Sequence, residues 1–251
     1  MGRFPVVMIS PADRNLLTDG SDVRRKFMDQ TIAQSDPAFL HALICYNRAL
    51  SQRNALLKYF AANRTFDEDT LTLYDDQLCE YAPIIHQARE RFVVAFIPML
   101  KHNYAQIAGD GEDVDLRYRS KLNEMSMRDL LTESQAKDRL LQYSTEGPHR
   151  EDLLFELHGR SLRQVGSQGQ QKSYLVALKL ATFDSLTENL GAKPILLLDD
   201  VFDKLDADRV EGLIRLVNDD HFGQIFLSDT HRDRTELLLQ AVDAQAKVFE
   251  L

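Results

Sequence analysis

The spacing of apolar residues changes character twice along the chain, and the changes mark out its organisation. "PVVMIS", at residues 5–10, is a short apolar run closed by a Ser-Pro turn, which predicts a buried strand followed by a short helix. From residue 22 to about 108 the apolar positions recur every three or four residues, as on amphipathic helices. A long helix is predicted over 36–62, where Asp36 offers a cap and Pro37 suits the first helical position. A second helical stretch covers about 67–108, with an interruption or kink expected near Pro83 and Pro98.

Beyond residue 109 the periods mix. "GDGED" reads as a turn, "VDLRYRS" alternates like a strand, and "SMRDLLTESQAKDRLLQYS" returns to helical spacing. "GPHRE" is a turn, and "DLLFELHGRSLRQV" predicts two strands joined tightly at His158-Gly159. A long helix is then predicted over 168–190. After it come the strand "PILLLDD", the helix "ADRVEGLIRLVND", the strand "QIFLSD", the helix "RDRTELLLQAV" and the strand "AKVFEL". Such alternation predicts a parallel α/β sheet covered by helices, with a large α-helical lobe inserted before it.

Composition changes this picture little. The 251 residues are 44% hydrophobic and 27% charged, as in ordinary soluble domains. A net charge of −9 argues against avid nucleic-acid binding by the whole surface, so DNA contact would need a local basic face or an assembled dimer. Cys45 and Cys79 sit in helix-like apolar runs without metal-ligand neighbours at suitable spacing, which fits a reducing, cytoplasmic setting. No apolar run approaches the ~18 residues of a membrane span, and the first residues lack a signal-peptide layout. No membrane partner is therefore expected.

The strongest chemical signal is "ILLLDDVFDKLD". Asp199 and Asp200 follow an apolar strand at its carboxyl end, where open α/β sheets hold their ligands. A hard Mg²⁺ ion prefers such oxygen donors, so Asp199 is the candidate metal residue and Asp200 could orient or deprotonate a water. The plainer alternative is that the aspartates cap a turn. "KLD", ending at Asp206, extends the segment to D-D-x-x-x-x-L-D, the spacing of the Walker B motif and D-loop of ATP-binding-cassette ATPases.

"VGSQGQQKS" departs from the phosphate-binding pattern G-x-x-x-x-G-K-[ST] at Gln171 and does not follow a buried strand, so it does not read as a P-loop. Ser167 and Gln170 form a capping box at a helix start. That leaves Gly169 unexplained, since glycine in a first turn costs roughly 0.5–1 kcal/mol relative to alanine. A helix start with a hydroxyl and an open backbone suits an anion. Ser167, Gly169 and Gln170 resemble the S-G-G-Q signature motif, which in cassette ATPases contacts the γ-phosphate of ATP held by the opposite subunit.

With a signature-like helix, a D-D segment and "DTH" after the next strand, the tail resembles an SMC/ABC-type ATPase head. "FPVVMISPADRNLLTDGSDVRRKFMD", "YNRALSQRNALLK", "TEGPHREDLLFEL" and "GSQGQQKSYLVALKLA" together resemble the bacterial RecF recombination and repair family over essentially the whole chain. The resemblance implies a P-loop NTPase fold present in part. Residues 1–20 would end its N-terminal lobe, 21–145 form the helical lobe, and 146–251 the C-terminal part of the head.

It further implies ATP and Mg²⁺ as cofactors, Asp199 as metal carboxylate, and Asp200 and His231 as catalytic and switch residues. Asp206 would lie in the D-loop, and Ser10–Asp13 would correspond to the Q-loop region. Many cassette ATPases carry Glu where Asp200 stands, which weakens its assignment as a base. No G-x-x-x-x-G-K-[ST] occurs in the 251 residues. This implies the C-terminal portion of such a protein, expected alone neither to bind nor to hydrolyse ATP appreciably.

Partners implied are DNA at single-strand/double-strand junctions, a second copy when ATP is bound, and recombination mediators that help load recombinase. Local basic clusters are Arg24-Arg25-Lys26, Arg89 with Arg91, and Arg117/Arg119/Lys121, each also readable as a solvated face. Two alternatives remain open at this level: a non-catalytic interaction module with a remnant head, and a transporter ATPase, the latter disfavoured by the length of the helical insert.

Overall fold

The computed structural model of the chain describes residues 5–202, 205, 207–217, 221–228 and 247. In chain order its elements are β1 (Val6–Ile9), α1 (Asn15–Thr18), α2 (Ser21–Ser35), α3 (Pro37–Asn63), α4 (Glu68–Ala108), β2 (Val114–Arg119), α5 (Met127–Leu141), β3 (Asp152–Leu157), β4 (Arg160–Ser161), α6 (Leu162–Val165), α7 (Gln168–Leu190), β5 (Ile195–Asp199), α8 (Ala207–Val217) and β6 (Ile225–Ser228). Contacts divide the chain into two units, Met1–Asp19 with Ala95–Leu116 and Phe155–Leu251, and Gly20–Val94 with Arg117–Leu154.

The second unit is mainly helical. The Asp36 carboxylate caps α3 by accepting from the Phe39 amide at 2.9 Å, and Pro37 occupies the first turn. One stripe of α3 is buried: Phe39, Ala42, Tyr46, Ala49, Leu57 and Phe60, with Arg53 in the same stripe. No interruption occurs in α4 at either proline; the helix runs 41 residues through Pro83 and Pro98. Leu71, Leu78, Ala82, Ile85, Val93, Phe96, Leu100 and Tyr104, spaced by three, four, seven or eight residues, are buried along it. Burial of that stripe outweighs the ~3 kcal/mol that a proline costs a helix interior.

Two polar networks lie inside this unit. Arg53, wholly buried, donates to Asp75 at 2.6 Å, Asp138 at 2.6 Å and Ser144 at 2.8 Å. Arg89, 2% exposed, donates to both oxygens of Asp29, to Glu151 and to the Pro148 carbonyl. The turn at 147–150 is packed rather than plain. Gly147 adopts φ 121°, and a Cβ there would come within 2.5 Å of the Tyr46 hydroxyl. His149 touches the Ser144 carbonyl through Nε2 at 3.0 Å, so that nitrogen carries the proton and Nδ1 accepts from Tyr46 at 2.8 Å.

The first unit holds a parallel sheet ordered β1-β5-β6, with Val6 opposite Ile195 and Asp199 opposite Ser228. Helix α7 packs on β1. Its residues 173–178 are buried without interruption, which matches the apolar run "SYLVAL" and its central place. The strand predictions for "PVVMIS" and "PILLLDD" hold, but neither is buried on both faces. Val7, Ile9, Leu196 and Leu198 are buried, while Val6 and Met8 are about half exposed. A second sheet is ordered β2-β3-β4. Here the second predicted strand shrinks to Arg160–Ser161, and "LRQV" forms the single helical turn α6 instead. The helix and strand expected over 232–251 lie outside the described residues.

Candidate functional site

Leu196 and Leu198 anchor β5 in the core and carry the chain out to Asp199 at its end. The hydroxyl of Ser228, at the matching position of β6, donates to Asp199 Oδ1 at 2.6 Å. The Asp200 amide donates to the Ser228 carbonyl at 3.1 Å, and Asp200 then turns the chain with a left-handed backbone, φ 48°. Both carboxylates therefore stand at the carboxyl rim of the sheet, partly exposed.

The tip of α7 is built as its sequence predicts. The Ser167 amide donates to Gln170 Oε1 at 2.8 Å, and the Gln170 amide donates to Ser167 Oγ at 3.2 Å, completing the capping box. Ser167 is exposed, and Gly169 lies in the first turn beside it. Residues 162–165 before the tip are helical, so no strand leads into this glycine-containing stretch.

Lys172 joins tip and rim: its Nζ donates to the Asp200 carbonyl at 2.9 Å. A cavity of about 190 Å³ lies beside it, lined by Ser10, Asp13, Arg14, Gln168, Gln171 and Lys172 among others. The segment Ser10–Asp13 thus adjoins the first turns of α7. Asp13 also receives Lys179 at 2.8 Å and the Ser10 amide at 2.9 Å.

Gln170 is held from a second side. Its Nε2 donates to Glu112 Oε1 at 3.0 Å, and Arg209, near the start of α8, donates to the same oxygen at 2.9 Å and to Ser173 Oγ at 2.8 Å. The Tyr104 hydroxyl also donates to Glu112. Partial burial would raise the Glu112 carboxyl, but hydrogen bonds from Tyr104 and Gln170 and the charge of Arg209 hold it below the usual range. Burial pushes the Tyr104 hydroxyl up, and its bond to Glu112 adds to that.

Lys172, Glu112, Arg209 and Ser228 were not singled out from the sequence. A lone polar residue in a turn, in a helix or at a strand end carries no period, and only the fold reveals these partners.

The remaining sequence candidates fall elsewhere. Asp206 and His231 lie outside the described residues. Arg24 donates to both oxygens of Asp152, at 2.9 and 3.1 Å, and Arg25 donates to Ser21 Oγ at 2.7 Å and to the Glu151 carbonyl at 2.6 Å. Their charges serve internal partners, whereas Lys26 is exposed. Arg89 is buried and so does not form a surface patch with Arg91.

For a cation, the rim offers carboxylate oxygen of the right hardness. Among the described residues no group of three or more His, Cys, Asp or Glu is gathered. The oxygen donors the rim offers to a cation are the carboxylates of Asp199 and Asp200. Among the described residues no helix is long and apolar enough to cross a membrane.

A parallel α/β layer with helix α7 packed on it, and a second, mainly helical unit, define the class: an α/β head fold with a helical lobe. No protein-family model matches the chain. It is 49% identical over 251 residues to the DNA replication and repair protein RecF of Flavobacterium johnsoniae, covering 100% of this chain and 70% of that protein. It is 44% identical over 250 residues to RecF of Phocaeicola vulgatus, covering 99% of this chain and 67% of that one.

A solved structure of the recombination mediator protein RecF-ATP in the RecFOR pathway superposes with TM-score 0.81 at 29% identity. That of RecF-ATPrS gives 0.80 at 30%. Each match covers 92% of this chain and 64% of the solved one. The chain belongs to the RecF family of DNA replication and repair proteins.

Proposed function

We propose that the chain supplies the signature and Walker B parts of a RecF-type ATPase head that dimerises around Mg-ATP to hold DNA at single-strand/double-strand junctions, where recombination mediators help load recombinase. The observation that carries this reading is the Lys172–Asp200 bond, which sets an exposed capped helix tip and an aspartate rim on one edge of the first unit. Solved RecF structures described as ATP and ATPrS forms support nucleotide as the ligand.

The chain's own groups divide the work. Ser167 Oγ and the amide of Gly169 would meet the γ-phosphate of a nucleotide on a second copy, where the helix dipole favours negative charge, while Gln170, whose amide donates to Ser167 Oγ, would shape the tip around it. Asp199, with one oxygen fixed by Ser228, would hold the cation, and Asp200 would orient a water or take its proton. Mg-ATP, when bound, supplies the charge that makes tip and rim complementary across the dimer. Tip and rim would thereby favour the closed pair only while both are engaged. Asp206 and His231 remain proposed as D-loop and γ-phosphate switch residues.

Sedimentation of the intact protein with Mg-ATP and with Mg-ADP tests the reading. A dimer with ATP alone, lost in Ser167→Arg and longer-lived in Asp200→Asn, is the expected result. A dimer insensitive to nucleotide and to Ser167→Arg would favour the interaction-module alternative.

A further inference from the structure

We propose that Glu112 is the positioning residue for the α7 tip, locking the Gln170 amide and joining it through Arg209 to α8. This rests on the reading of Ser167–Gln170 as a phosphate-contacting tip and goes beyond it, because Glu112 lies in the "GDGED" turn, 55 residues before Ser167 by their numbers.

Gln170 has one side-chain carbonyl and one amide group, and each has an assigned partner. Oε1 accepts from the Ser167 amide at 2.8 Å, and Nε2 donates to Glu112 at 3.0 Å. Either bond alone leaves the amide free to swing about the remaining one. Together they fix its plane, and with it the Ser167 amide that Oε1 holds.

Glu112 is itself over-determined, since Tyr104 and Arg209 donate to the same carboxylate. Tyr104 is fully buried, which gives the cluster a rigid base. Glu112 also places a negative charge near a tip proposed to receive phosphate. Arg209 neutralises it at 2.9 Å, so the carboxylate orients the tip without repelling an anion.

Arg209 extends the connection. Its second nitrogen reaches Ser173 Oγ at 2.8 Å, inside α7, while its backbone belongs to α8, which begins at Ala207 just after the D-D segment. A shift of α8 therefore pulls on both Ser173 and Glu112. The two half-site elements of one subunit, its tip and the segment after its rim, are coupled through one carboxylate. Gly212, further along α8, strengthens the seat: a Cβ there would come within 2.7 Å of the Gln106 carbonyl, so α8 lies directly on α4.

The test compares Glu112→Ala, Glu112→Gln, Gln170→Ala and the double variant Glu112→Ala/Gln170→Ala in the intact protein. Readouts are Mg-ATP-dependent dimerisation, melting temperature, and amide hydrogen exchange at 167–171.

Glu112→Ala is expected to weaken dimerisation roughly tenfold, with faster exchange confined to the tip and unchanged exchange in β5. The double variant should be no worse than the worse single one, the mark of residues acting as a unit. Glu112→Gln keeps an acceptor for Nε2 and should recover part of the loss, which separates positioning from a folding defect. Wild-type dimerisation in Glu112→Ala, or losses that simply multiply in the double variant, would overturn the proposal. If Ser167→Arg also leaves dimerisation intact, the tip reading itself fails. If Ser167→Arg abolishes it while Glu112→Ala does not, only the role of Glu112 fails.

Discussion

Lys172 donates from Nζ to the carbonyl oxygen of Asp200 at 2.9 Å, and Asp200 adopts a left-handed backbone, φ 48°, where it presents that oxygen. Aspartate tolerates this conformation better than most residues, while a β-branched side chain does not. Asp200→Gly is expected to unfold in urea at or above the wild-type midpoint. Asp200→Val should lose about 1–2 kcal/mol. Equal stability of the two variants would contradict a backbone requirement at this position.

Arg53 is enclosed by Asp75, Asp138 and Ser144. Removing one partner of such a buried set leaves charge without compensation, so Arg53→Met should cost about 3–5 kcal/mol. Replacing the three charged residues together by apolar side chains of similar volume should restore much of the loss. Denaturant unfolding followed by far-ultraviolet circular dichroism measures both. A loss below about 1 kcal/mol for Arg53→Met would show that water reaches the site.

Burial pushes the His149 imidazole down to about 4 from the ordinary 6.5. On acidification the unfolded chain therefore takes up this proton before the folded one does. The contribution of neutral His149 is complete above about pH 6.5 and fades as pH falls towards 4, by up to ~1.4 kcal/mol per unit. Unfolding free energies of wild type and His149→Gln, measured from pH 7 to 4, should show the steeper loss in wild type. Parallel curves would place the titration elsewhere.

Arg24 pairs with Asp152 through both carboxylate oxygens, and both side chains are largely buried. Arg24→Gln is expected to lower stability by about 2–3 kcal/mol. The salt dependence of DNA binding by the intact protein should stay unchanged, since a guanidinium committed to a carboxylate neutralises no phosphate. A flatter salt slope with normal stability would return Arg24 to the DNA surface.

How far the sequence carried the reading depended on period and on partners. The β5 strand was legible because "ILLL" meets two aspartates, and the α7 tip because serine, glycine and glutamine stand at capping positions. The continuity of α4 was not legible: proline reads as a local break, and only the buried stripe from Leu71 to Tyr104 shows that packing overrides it. "LRQV" failed as a strand because four residues after a tight turn carry no reliable period. Arg53 falls on the apolar stripe of α3 at three- and four-residue spacing, where its charge hides it from a purely apolar period. A charge at a core position implies buried partners, here Asp75 and Asp138, which lie 22 and 85 residues away in sequence.

Glu112 and Arg209 show the same limit at the candidate site, since nothing local in "GDGED" or "ADRVEG" points to Gln170. In the basic run at 24–26 the limit is again set by the partners. Arginine clusters suggest a surface, yet two of these three side chains have internal acceptors.

Mixing two disabled variants of the intact protein tests the central claim most directly. One carries Ser167→Arg at the helix tip and the other Asp199→Asn at the rim, each expected to be inactive in ATP hydrolysis alone. If tip and rim of different copies share one nucleotide, mixed dimers contain one site with both parts intact, and the mixture should regain a fraction of wild-type hydrolysis. No recovery on mixing, with mixed dimers shown to form, would contradict a site built from two copies of this chain.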